Sequence, residues 1–341
     1  MSDDWSRESW SFEAQSIELP LAERFTIARE TWDSTTNVFV TLRFAGVSGV
    51  GESCPASRWD ETVESVLHQL QSVDVASLGN PFNLEGVREL LPPGAARAAL
   101  DIALHDLAGK IAGLPVCKLL GSKGRALPPT SLTVPITDRD QMMERARKLA
   151  DHPALKVKVG FDGDLDAVEA IRSVFTGALR VDANEGWSAD DAIGRLKELE
   201  RFDIELCEQP IPADNHEELA RVTAATSIPV FADEDVSSAA DVAALSGIVD
   251  GVNLKLRKAG GIRETVAAIQ TARACGLGVM LGCDLDAGIA ATAGAHVAGL
   301  VDFADLDGPL LLTEDPFPGV TYDRGRMILP DLPGLGVEGT P

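Results

Sequence analysis

Six ionisable side chains stand at the ends of five short apolar, β-branched runs. The runs are Leu155-Lys156-Val157-Lys158-Val159, Leu179-Arg180-Val181-Asp182, Ile204-Glu205-Leu206-Cys207-Glu208, Val230-Phe231-Ala232-Asp233 and Val252-Asn253-Leu254-Lys255. From Lys158 the key positions are 182, 208, 233 and 255, in steps of 24, 26, 25 and 22 residues. That pitch accommodates one strand, one helix and two loops, so the pattern predicts repeated βα units closing into a parallel barrel. Strand ends in such a barrel converge on one mouth, where its chemistry is done. Three oxygen donors on adjacent strands (Asp182, Glu208, Asp233) suit a hard divalent cation such as Mg²⁺. Lys156 and Lys158 end the second strand and Lys255 the sixth, so amines face each other across the mouth. Metal plus opposed amines fits abstraction of a proton from carbon next to a carboxylate: the cation stabilises the growing enediolate charge, and a lysine with a lowered pKa acts as base.

The amine positions stand out against the composition. The chain has nine lysines and 21 arginines, and three of the nine fall at these positions. Arginine stays protonated and cannot serve as a base, which gives a chemical reason for lysine there. The five histidines form no H-x-x-x-H pair, and His105 reads as structural. Glu234 and Asp235, beside Asp233, read as supporting or surface residues.

The elements that must position these groups follow from the rest of the chain. Its 341 residues, 45% of them hydrophobic, are enough for a barrel and a smaller partner. Alternation over 37–53, with Gly46-Val47-Ser48-Gly49 as the turn, predicts an antiparallel hairpin. A helix is expected from about Asp60-Glu61. Another is expected from about Ala95 to Ile111, with an apolar stripe through Leu100, Ala103, Leu104, Leu107 and Ala108. The barrel strands begin at Leu132-Thr133-Val134-Pro135-Ile136 and end with Val279–Cys283 and Phe303–Asp307. The expected division is 1–125 as an α+β domain and 126–312 as the barrel, with a Gly- and Pro-rich tail of about 313–341 packing back. A net charge of −23 argues against nucleic acid and anionic membranes as partners. No apolar run reaches the roughly 18 residues of a membrane span. An odd set of five cysteines without C-x-x-C points to a reduced, cytoplasmic setting.

On these residues the chain resembles the enolase superfamily, muconate-lactonizing-enzyme subgroup, and within it the dipeptide epimerases, the Ala-Glu epimerases included. Ala96 to Leu120 resembles the helix that closes the family's capping domain, Lys156 to Lys255 its catalytic strands, and Pro333-Gly334-Leu335-Gly336 its tail. The resemblance implies an α/β fold, a modified TIM barrel (β/α)7β with an N-terminal α+β capping domain. A lysine base beside Mg²⁺ is the superfamily's known arrangement. Transferred here, it implies Mg²⁺, with Mn²⁺ as a substitute, on Asp182, Glu208 and Asp233. Lys158 and Lys255 become the acid/base pair, with Lys156 assisting. Asp305-Leu306-Asp307 is similar to the Asp-x-Asp motif that holds a dipeptide's α-ammonium. Phe25-Thr26-Ile27-Ala28-Arg29 resembles the mobile capping loop that brings an arginine, here Arg29, to a glutamate side chain; Arg58 and Trp59 fall in a second capping loop. The seventh strand ends Cys283-Asp284-Leu285-Asp286, where the family pattern has an apolar residue after the cysteine; an acid there favours a cationic side chain or opposes glutamate. The implied reaction is epimerisation of the C-terminal residue of an L,L-dipeptide of the Ala-Glu type, by a homo-oligomer. The alternatives are o-succinylbenzoate synthase, N-acylamino acid racemase and muconate-type cycloisomerase, whose substrates lack the ammonium.

Overall fold

The computed structural model describes residues 8–122 and 124–341. Three antiparallel strands open the chain: β1 (Trp10–Thr26), β2 (Thr31–Phe44) and β3 (Val47–Ser53), in the order β1-β2-β3. The hairpin between β2 and β3 turns at Ala45 and Gly46, both in the left-handed region (φ 50° and 76°), rather than at Gly46–Gly49 as the alternation suggested. Two consecutive left-handed residues make the turn whose twist matches paired strands. β1 is an additional strand that the sequence reading did not contain. It carries Pro20 at a break in register between Pro20 and Phe25, which an edge strand tolerates.

The helix Ala95–Ala112 lies across this sheet. Its entry is fixed by Glu61, whose Oε1 accepts from Ala95 N at 2.6 Å, and its exit by left-handed Gly113. It is buried on nearly all sides: Ile102 packs into the barrel's core, while Leu100, Leu104 and Leu107 join Val38, Val40 and Leu42 in a separate one. Gly49 and Gly51 allow the close approach, since a Cβ on either would overlap the carbonyl oxygens of Ala103 or Ala99. Because those atoms are helix backbone, Gly51→Ala is expected to destabilise the fold by about 1–3 kcal/mol. A lowered urea midpoint would show it, and an unchanged midpoint would mean that the helix can shift aside.

Eight parallel strands follow: β4 (Leu132–Val134), β5 (Ala154–Lys158), β6 (Ala178–Asp182), β7 (Ile204–Glu208), β8 (Val230–Ala232), β9 (Gly251–Lys255), β10 (Gly278–Gly282) and β11 (Phe303–Asp305). Each neighbours the next, and among the described residues all seven connections carry a helix, from Arg139–Lys148 to Gly288–Val297. Ser131 N donates to Ala304 O at 3.0 Å, joining the approach to β4 with β11 and closing the barrel. This is the (β/α)7β arrangement. Leu206, Phe231 and Met280 form a small cluster of their own, with Phe303 against it and Arg180 over the Phe303 ring at 5.0 Å. In the tail, β12 (Thr321–Asp323) pairs with β13 (Arg326–Ile328). Leu335 N then donates to Asp106 Oδ1 at 2.7 Å on the long helix. No helix of the described residues is long and apolar enough to cross a membrane.

Candidate active site

Side chains two apart on a strand share a face, so β5 must send Lys156 and Lys158 the same way. Lateral register does the rest, aligning Lys158 with Asp182, Asp182 with Glu208, and Lys255 with Gly282 and Asp305. Lys158 Nζ donates to Asp182 Oδ2 at 2.7 Å and to Asn184 Oδ1 at 3.0 Å. From the other wall, Lys255 Nζ lies 3.2 Å from Asp233 Oδ2 and 3.5 Å from Asp284 Oδ1. Lys156 Nζ stands 3.0 Å from Asp182 Oδ2, 2.8 Å from Glu208 Oε2 and 2.8 Å from Asp305 Oδ2.

The three acids are completely buried, and their outer contacts fix them. Asn253 Nδ2 donates to Glu208 Oε1 at 2.7 Å, Asn184 N to Asp182 Oδ1 at 2.9 Å, and Asp233 N to Gln209 Oε1 at 2.8 Å. Glu208 Oε2, close as it is to Lys156, receives no well-directed hydrogen bond. Burial, then Asp182, pushes the Glu208 carboxyl up to about 8. Burial would also raise Asp182 and Asp233, but Lys156 and Lys158 hold the first low, and Lys255 and Lys258 the second. Among the described residues no three acids or other ligating side chains close to metal-holding spacing, since the Lys156 ammonium stands between Asp182 and Glu208. The donor chemistry nonetheless fits a hard divalent cation: three buried carboxylates, one of them with an oxygen that receives no well-directed hydrogen bond, and no thiolate or imidazole among them.

The amines depart from the expected direction. Burial works to lower Lys156 and Lys255, but Asp182, Asp305 and Glu208 around the first and Asp233 and Asp284 around the second outweigh it, and both are raised. Neighbouring ammonium groups are the weaker influence in a mouth this rich in carboxylates. Burial does lower Lys258, which pairs with Asp233 Oδ1 and donates to Asp233 O at 2.5 Å.

A cavity of about 380 Å³ opens above these groups, within the usual range for small-molecule sites. Lys156, Lys158, Lys255, Asp305 and Asp307 line it from the barrel, and Phe25, Arg29, Arg58 and Trp59 from the antiparallel unit. Asp305 also accepts from Ser131 Oγ at 2.6 Å. Asp307 accepts from Thr133 N at 2.7 Å; burial and Asp305 push it up to about 6. Phe25, the penultimate residue of β1, packs on Trp32, ring centres 6.2 Å apart.

Cys283 and Asp284 line the cavity, whereas Asp286 is not among its lining residues and instead feels the charges of Asp284 and Glu52. Asp284 is not a free acid. Arg257 Nε donates to it at 2.6 Å, and despite burial Arg257 and Lys255 pull it down to about 2. Arg29 is also paired: its NH2 lies 2.8 Å from Glu234 Oε1 and its NH1 3.2 Å from Glu185 Oε2. Lys258, Asn253, Asn184, Arg257 and Glu185 were not singled out from sequence. Asn253 was the most accessible of them, because strand alternation places it on the face of Lys255. Lys258 had a compositional signal as another of the few lysines.

Comparisons with known proteins agree with this geometry. Residues 13–121 match the model of the mandelate racemase / muconate lactonizing enzyme N-terminal domain, and residues 141–341 match that of the enolase C-terminal domain-like family. The L-Ala-D/L-Glu epimerase of Bacteroides thetaiotaomicron is 40% identical over 327 residues, covering 94% of this chain and 85% of that protein. A substrate-liganded complex of the L-Ala-D/L-Glu epimerase from Bacillus subtilis superposes with a TM-score of 0.90 at 30% identity, covering 96% of this chain and 98% of the other. The dipeptide epimerase from Enterococcus faecalis V583, complexed with Mg and L-Leu-L-Tyr, gives a TM-score of 0.90 at 32% identity, covering 96% and 99%. The chain belongs to the mandelate racemase / muconate lactonizing enzyme family of the enolase superfamily.

Proposed function

We propose that this protein is a Mg²⁺-dependent dipeptide epimerase that inverts the α-carbon of the second residue. The observation that carries the reading is the pair Lys158 and Lys255, which reach one set of carboxylates from strands four apart in the barrel. Strands so placed present their ends to opposite faces of a substrate lying across the mouth. One lysine removes the α-proton and the other returns a proton to the opposite face, which inverts the centre. Asp182, Glu208 and Asp233 would hold the cation. When bound there, it supplies a Lewis acid for carboxylate oxygens where charge grows, and positive charge that offsets the carboxylates now raising Lys156 and Lys255. Lys156, enclosed by three carboxylates, stays protonated and contributes fixed positive charge beside the reacting carboxylate.

Reactions within this family share the fold, so the substrate is argued from the cavity. Asp305 and Asp307 are suited to the substrate's α-ammonium: both line the cavity, and Asp307 is oriented by Thr133 N, which donates to it at 2.7 Å. Arg29 and Arg58 bring the two guanidinium groups on the cavity wall and favour a side-chain carboxylate, as in L-Ala-L-Glu. The test is conversion of L-Ala-L-Glu to L-Ala-D-Glu, followed by chiral chromatography. N-acetylation removes the ammonium and is expected to lower kcat/KM by about 10–100-fold, the worth of one charge-assisted contact of roughly 1.5–3 kcal/mol. Equal or better turnover of the acetylated compound would favour an N-acylamino acid racemase instead.

A further inference from the structure

Glu185 takes no part in the lysine and carboxylate chemistry, yet four donors converge on it. Arg58 donates through Nε and NH2, one to each carboxylate oxygen, at 3.0 Å each. Arg29 NH1 donates at 3.2 Å, and Ala213 N at 2.9 Å. The two arginines come from different loops of the antiparallel unit. Arg29 lies in the Ile27–Glu30 turn, closed by Ile27 N donating to Glu30 O at 3.0 Å, and Arg58 in the single turn Ser57–Trp59. Both line the cavity. Glu185 belongs to the barrel loop after β6, where Asn184 and Glu185 are both left-handed, with φ of 42° and 68°. A glutamate keeps that backbone only where its surroundings hold it.

Other contacts seat the same loops without replacing this one. Gly160 and Gly186 leave room for Ala28, whose methyl would stand 3.1 Å from a Cβ on either. Trp59 lies 4.3 Å from the Arg257 guanidinium, and Arg257 NH1 reaches Glu61 Oε2 at 3.2 Å. These fix where the loops run. They do not aim the two long arginine side chains, each with several free rotations; Glu185 does, bidentate on Arg58 and, on Arg29, together with Glu234 Oε1 at 2.8 Å and Asn184 O at 3.0 Å.

We infer that Glu185 is a positioning residue that aims Arg29 and Arg58 over the cavity, so that the side-chain carboxylate of an acidic second residue meets donors already in place. The inference rests on the dipeptide-epimerase reading and extends it to selectivity. Only the pre-aimed donors gain from Glu185, so an apolar second residue is indifferent to it.

The experiment compares Glu185→Ala and Glu185→Gln with the full-length parent on L-Ala-L-Glu and L-Ala-L-Leu, with Mg²⁺ present. In Glu185→Ala, KM for L-Ala-L-Glu is expected to rise by roughly 10-fold or more, with kcat within about 3-fold and KM for L-Ala-L-Leu within about 2-fold. Glu185→Gln keeps one acceptor oxygen, able to serve Ala213 N and Arg58 NH2 but not Arg58 Nε, so it is expected to fall between. An unchanged or lowered KM for L-Ala-L-Glu, or an equal rise for both substrates, overturns the inference. If the parent epimerises no dipeptide, the functional reading fails. Amide hydrogen exchange then decides the positioning claim: faster exchange over 27–30 and 56–60 in Glu185→Ala supports it, and unchanged exchange overturns it.

Discussion

Lys255→Ala and Lys158→Ala are each expected to lower epimerisation of L-Ala-L-Glu by about 10²–10⁴-fold, the range for loss of a positioned general acid or base. The two amines occupy opposite walls, one against Asp182 and the other against Asp233, so neither can stand in for the other. Each mutant keeps one base. It should therefore still exchange the α-proton of one epimer with solvent, though not complete the inversion, and the two mutants should exchange opposite epimers. Proton NMR in D₂O on each pure epimer distinguishes these cases. Full epimerisation by both mutants, or exchange of the same epimer by both, would sink the two-base account. Lys→Arg is expected to be as damaging as Lys→Ala, because a guanidinium holds its proton.

Glu208→Gln should remove both metal dependence and activity. In the structure this carboxylate is fully buried, pushed up to about 8, and has one oxygen without a well-directed donor. A ligand that binds only the folded chain stabilises it by about 2.7 kcal/mol at 100 times its dissociation constant. The unaltered protein should therefore melt higher with added Mg²⁺ than with a chelator, while Glu208→Gln should melt alike in both. The melting comparison does not depend on knowing the substrate. A Mg²⁺-dependent rise in Glu208→Gln equal to that of the parent would place the cation elsewhere.

Much of the barrel was legible because its two signals reinforce each other. Buried parallel strands read as short apolar runs, and the βα pitch fixed their spacing closely enough to align Lys158, Asp182 and Glu208 in lateral register. The antiparallel unit was harder to read. In β1 the alternation of Trp10, Phe12 and Ala14 changes phase to Ile17, Leu19 and Leu21 and is crossed by Pro20, so the 17-residue strand carries no single unbroken period. The β2–β3 turn was displaced because four candidate residues, Gly46 to Gly49, begin and end with glycine, whereas the chain uses Ala45 in the left-handed region.

At the site, residue identity was readable and charge balance was not. Spacing brings the lysines to the mouth, but whether they sit beside other cations or among carboxylates depends on side-chain directions over the whole barrel. The same reason separates Asp284 as read from Asp284 as found. Its partner Arg257 is 27 positions away in sequence and meets it only because β9 and β10 are neighbours. Glu185 lies three residues beyond Asp182, which ends the third barrel strand, yet its role depends on two loops more than 120 residues earlier.

Incubation of the protein with L-Ala-L-Glu and Mg²⁺ in D₂O, resolved by chiral chromatography and mass spectrometry, tests the central claim most directly. The account predicts L-Ala-D-Glu carrying one deuterium at the glutamyl α-carbon from the first turnover, with unreacted L-Ala-L-Glu still unlabelled. Absence of conversion and of label for this and other dipeptides, or conversion without deuterium, would contradict it.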